Sequence, residues 1–218
     1  MKAGRLVWGA IALGCFAAAF PAAGCSDSKT FPPRTRVGTV PKAFSARAVV
    51  SPADAAAYAE SYNGALGIEG VRIERVLTFG DAYWVYLAEV GTGRGAFSLG
   101  VSPAGDLAAR QFPAPDPELM WNQKYGHRAR HRLSAIQENL SLEETESLLR
   151  LTLPGSEGIR PGEPTAYYGY ALYPLCDDGH QVGEAAVNTA DGKAVWDRFP
   201  ERPASVWVAP GAREDLCR

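Results

Sequence analysis

Apolar positions along this chain fall into three regimes. From Leu6 to Phe20 they run almost without a break, and from Ser26 to Ala43 they are sparse among Ser, Thr, Pro, Lys and Arg and keep no period. Beyond residue 44 they recur at spacings that read as helices and strands. Ser51-Pro52-Ala53-Asp54 predicts a helix start, with a hydroxyl cap, Pro at the first helical position and an acid in the first turn. Tyr58, Tyr62 and Leu66 at four-residue spacing carry that helix over 52–66, and Gly67 is a natural stop. Val71, Ile73, Val76 and Leu77 predict a short strand, and Ala82–Val90, aromatic and β-branched, a strong one. Gly91-Thr92-Gly93-Arg94-Gly95 then reads as a hairpin turn, because no strand-to-helix context or Gly-Lys-Ser/Thr makes it a phosphate loop. Phe97, Leu99 and Val101 alternate on the returning strand.

A second pass of the same grammar begins near residue 139. Ser141-Leu142-Glu143-Glu144 has the form of a capping box and opens a helix over 142–152. A loop from Gly155 to Pro164 leads to an aromatic strand over Thr165–Tyr173, Asp177-Asp178-Gly179-His180 turns the chain, and Val182–Val187 returns. At an offset of about 87 residues Tyr83 meets Tyr170, Tyr86 meets Tyr173, Gly105 meets Gly192 and Phe112-Pro113 meets Phe199-Pro200. One residue off that register, Val101 meets Val187 and Trp121 meets Trp207. The matched order points to an internal duplication. Both faces of the first hairpin are apolar, since Tyr83, Val85 and Leu87 alternate with Trp84, Tyr86 and Ala88. One helix covers only one face of a sheet, so the other face must meet the second unit or an outside partner.

Each unit, a helix followed by an antiparallel hairpin that ends in a Val-x-x-x-Gly-type turn, resembles the PepSY module of bacterial envelope proteins. The motif is Val187-Asn188-Thr189-Ala190-Asp191-Gly192-Lys193-Ala194-Val195 in the second unit and Val101-Ser102-Pro103-Ala104-Gly105 in the first. The resemblance implies an α+β fold of two helix-plus-antiparallel-hairpin repeats, 45–125 and 126–218, with the helices packed on curved antiparallel sheet. It also implies a non-catalytic role, such as restraining a peptidase or docking to an envelope partner. A structural subunit of an envelope complex, and a hydrolase with an unrecognised site, are the alternatives.

Residues 1–24 have the form of an export signal. Lys2 and Arg5 precede the apolar run, which is shorter than the roughly 20 residues of a spanning helix, and Pro21-Ala22-Ala23-Gly24 leads into Cys25. The Gly24-Cys25 junction resembles the lipobox of bacterial lipoproteins, although Ala22 stands where that family prefers Leu. Cys15, after Leu13-Gly14, would leave too short an apolar core. The resemblance implies acylation of Cys25, residues 25–44 as a tether, and attachment to a membrane by the lipid, with the outer membrane favoured because Ser26 replaces the retention-signal Asp.

Composition narrows the partners. Removing Met1–Gly24 takes away Lys2 and Arg5 and no acid, leaving 20 Lys+Arg against 24 Asp+Glu and a net charge of −4. Such a chain has no global attraction for nucleic acid or anionic lipid. With Cys25 acylated, Cys176 and Cys217 remain as a pair, for which a disulfide is the favoured reading over a metal pair or a catalytic thiol. His127 and His131 share one face at four-residue spacing, but no Glu stands beside His127, and no metal or cofactor is expected. Arg128, Arg130 and Arg132 form a basic stripe that reads as a solvated edge or, failing that, as a contact for an anionic surface. Trp84, Trp121, Trp196 and Trp207 read as packing residues, and no nucleophile elbow is present.

Overall fold

The computed structural model describes residues 47–80, 82–109, 121–126, 137–153, 158–213 and 215–217. Helix α1 (Pro52–Ala65) starts where the cap predicts, with the Ser51 hydroxyl accepting from the Asp54 N–H. Its inner face is small except for Tyr58 and Tyr62, which lets the helix lie close on the strands beneath. Those strands are β1 (Val71–Thr78), β2 (Tyr83–Glu89), β3 (Gly95–Val101) and β4 (Leu107–Ala109). They follow one another antiparallel, with the C-terminal strand β10 (Ser205–Val208) added beside β1 to give the order β10-β1-β2-β3-β4. The second helix, α2 (Leu142–Thr152), carries the predicted capping box, since Ser141 and Glu144 bond each other's backbone N–H. After it come β5 (Arg160–Pro161), β6 (Thr165–Ala166), β7 (Tyr170–Asp177), β8 (His180–Asn188) and β9 (Ala194–Arg198). They form a second antiparallel sheet ordered β5-β7-β8-β9, with β6 also on β7.

The fold is therefore α+β, with two helices among the described residues and two antiparallel sheets. Three clusters of buried side chains show how the layers stack. On the outer face of the first sheet Tyr83, Val85, Leu87, Phe97, Leu99 and Val101 meet Ala55, Tyr58, Ala59 and Tyr62 of α1. On the outer face of the second sheet Ala171, Tyr173, Leu175, Ala185 and Val187 meet Leu149 of α2. Between them Leu77, Phe79 and Tyr86 of the first sheet and its flanks meet Tyr167, Tyr170, Leu172, Ala186 and Phe199. The two-faced apolarity of β2 is thus answered inside the chain. Its odd positions serve α1, and Trp84 and Tyr86 serve the second sheet.

Several expectations need correction. The 87-residue register pairs residues on opposite faces: Tyr83 points to α1, whereas Tyr170 lies between the sheets. Tyr86 lies between the sheets, whereas Tyr173 faces α2. Face-preserving matches are Val85 with Tyr173 and Leu99 with Ala185, offsets of 88 and 86 on the two strands. The offset changes by two because paired positions stand 14 residues apart across the first hairpin, Val85 to Leu99, and 12 across the second, Tyr173 to Ala185. A slip of one residue exchanges the faces of a strand. Thr165–Tyr173 is not one strand, because Gly169, at φ +97°, breaks it where a side chain would strike the Trp121 carbonyl. Gly95 belongs to β3 and not to the turn. A Cβ there would sit 2.3 Å from the Tyr167 ring, so its bareness makes room for the sheet-to-sheet contact. Trp196 is 37% exposed on β9, while Trp121 is buried.

Candidate functional site

Among the described residues, a dense group of ionisable side chains gathers where the first hairpin meets the segment 121–126 and the loop before β7. Glu89 ends β2 and is nearly buried, with 9% of its side chain exposed. Each of its oxygens accepts two bonds. Oε1 takes the Lys124 ammonium and the Tyr125 hydroxyl (2.7 Å), and Oε2 takes the hydroxyls of Tyr168 (2.6 Å) and Thr92 (2.7 Å). Burial by itself would raise the Glu89 pKa, but the four donors outweigh it and bring it down to about 2. Burial and the same carboxylate push the Tyr125 and Tyr168 phenols up. Lys124 is raised as well, the desolvation that disfavours its charge being outweighed by Glu89. Lys124 and Arg94 both lie over the Tyr168 ring, at 4.8 and 4.5 Å. A carboxylate with four donors on its two oxygens and a pKa lowered to about 2 is ionised at neutral pH. The group is built as a lock between the two halves of the stack.

Arg94 links this lock to a cleft. Its guanidinium bonds Glu138 and the Tyr167 carbonyl (3.0 Å), and its buried Nε has no hydrogen-bond partner among the described residues. The cleft, of about 160 Å³, is lined by Glu74 and Arg75 of β1, by Thr92–Arg94 of the first turn, by Thr165 and Ala166 of β6, and by Arg213 and Leu216 of the C-terminal segment. Arg75 is deep in the stack, lying over the Tyr86 ring (4.3 Å) with Glu184 at 3.8 Å. Glu184 is fully buried and accepts from Tyr86 and from Gln181 (3.0 Å). Arg213 pairs at the surface with Glu163. Three guanidiniums from three separate segments therefore border one opening, each opposite a carboxylate.

Of the residues singled out in the sequence, Cys176 and Cys217 stand at disulfide distance, with Sγ–Sγ 2.01 Å and Cα–Cα 5.5 Å. Cys25, His127, His131, Arg128, Arg130 and Arg132 lie outside the described residues. Among the described residues no helix is long and apolar enough to cross a membrane, and no three His, Cys, Asp or Glu side chains are grouped as a metal would need. Sequence reasoning missed the Glu89 lock, although an acid closing an otherwise apolar strand was a visible sign of a buried, partnered charge. No known protein family, curated protein or solved structure matches the chain.

Proposed function

We propose that the chain is a lipid-anchored, non-catalytic binding module of a bacterial envelope, acting on an envelope protein or peptidase. It is held to the membrane through Cys25 and built of two helix-on-sheet repeats. The observation that carries the reading is the commitment of the nearly buried Glu89 carboxylate to four donors within the fold. That arrangement favours a structural part over a reacting one. Support for duplication comes from the common order of helix, edge strand and hairpin, with faces kept at offsets of 88 and 86. The aromatic faces are spent on each other, so recognition falls to loops and the arginine-bordered cleft, where an acidic group of a partner would find Arg94 and Arg213. Two experiments test this. Cys25→Ala should move the protein from the membrane fraction to the soluble one, and retention through high-salt and carbonate washing would remove the anchor. A photo-crosslinking residue at Thr92 should capture one discrete envelope protein, lost in Arg94→Glu. Equal capture in that variant would sink the cleft as the contact.

A further inference from the structure

The C-terminal segment leaves the second sheet, joins the first and returns. Phe199 is buried between the sheets, β10 pairs with β1 from Arg75↔Val208 to Thr78↔Ser205, and Cys217 comes back to Cys176 on β7. Pro200–Ala204 makes the crossing and is held at its ends by Glu201 accepting from the Gly80 N–H and by the Ala204 N–H donating to Thr78. On the return leg the Glu163 N–H donates to the Leu216 carbonyl, in the gap between β5 and β6. Strand β10 is four residues at a sheet edge, with Ser205 and Val206 exposed and Trp207 only partly covered against the α1 core. The α1-β1-β2-β3-β4 layer beneath it is continuous without it.

From this path we infer that β10 is an exchangeable strand, and that the β1 edge is an interface for a second copy of this chain until Cys217 is bonded to Cys176. Every contact of the tail, from β10 on β1 to Leu216 in its gap, is remade unchanged when the tail lies on another copy. Only the route of Pro200–Ala204 differs. Within one chain the tether gives β10 a high effective concentration, whereas crowded chains supply the competing strand from outside. Pro200 and Pro203 fix two backbone φ angles in the crossing, which narrows the routes it can take between two sheets or two bodies. Bond formation ends the choice. Two thiols lose two protons and two electrons to a disulfide oxidant, and the bridge fixes the strand on whichever copy holds it.

The test uses the chain with Cys15→Ser and Cys25→Ser, so that only the pair of interest oxidises. Isotopically labelled and unlabelled chains are mixed in equal amounts while reduced and unfolded, refolded at high or low concentration, and oxidised with oxidised glutathione, which is reduced to two thiols. Proteolysis and mass spectrometry then read the bridged Cys176–Cys217 peptides. Exchange yields mixed-isotope pairs, approaching about half of all bridges at high concentration and vanishing on dilution. A variant with Val206→Pro and Trp207→Pro, which cannot pair with β1, should lose the mixed pairs. Bridges that are never mixed at any concentration overturn the inference. Mixed bridges that persist undiminished in the proline variant overturn it too, since association would then not run through β10.

Discussion

Glu89 illustrates how a single residue can be prominent in the fold and nearly silent in the sequence. Its place at the end of β2 was readable, but its partners come from 92, 124, 125 and 168, and no local pattern brings those together. Its folded pKa lies near 2, below the ordinary value of 4.5. The stabilisation is therefore fully present above pH 4.5 and is lost as pH falls towards 2, and it is on the order of 3 kcal/mol. Glu89→Gln should lower the denaturant midpoint at neutral pH, and the gap to the parent should close across that acid window. Parallel curves from pH 7 to 2 would show that the charge is not what matters. Gly95 makes a complementary case, because the sequence showed a glycine and not the ring it admits. Gly95→Ala should cost about 1–3 kcal/mol by displacing Tyr167 from the sheet interface. Stability equal to the parent would mean that the ring has room to move.

Elements that announce themselves by local chemistry were legible, and those made by distant contacts were not. Both helix starts follow from hydroxyl caps, and the hairpins β2–β3 and β7–β8 from alternation and turn residues. Ser141→Ala should cost about 1 kcal/mol through loss of the capping box, read as a shift in chemical denaturation. No change would mean that α2 is fixed by packing alone. The edge beside β7 escaped notice because it is cut into β5 and β6 at Gly162–Pro164. There a Cβ on Gly162 would lie 2.0 Å from the Leu216 carbonyl, so the break exists to seat the C-terminus. The 87-residue register failed for a related reason. Tyrosines draw the eye in a sequence, but strand faces are set by parity, and an odd offset of 87 exchanges the faces that offsets of 88 and 86 keep.

On the scale of the whole molecule, the question raised by the two-faced hairpin was what covers its second side, and the answer is the other sheet. That layer is aromatic and carries a buried polar group, Arg75–Glu184–Tyr86, that is satisfied only when both sheets are in place. Separating them would strip Glu184 of the Tyr86 hydroxyl and Arg75, and a buried charge that loses its partners is costly. The Glu89 lock and the β10 strap join the same two bodies at other points. Neither sheet has a reason to survive the other, so the chain should unfold in one step although it has two helix-on-sheet layers. Native-state hydrogen exchange checks this: the slowest amides of β2–β3 and of β7–β8 should share one opening free energy. In Cys176→Ser both should fall together, by about 2–5 kcal/mol, because the bridge closes a loop that spans both sheets. Opening free energies that differ between the hairpins by more than about 2 kcal/mol would show two independent units. The stack would then be a docking of finished parts, and the buried Arg75–Glu184 pair would have to find its partners only after each sheet had formed.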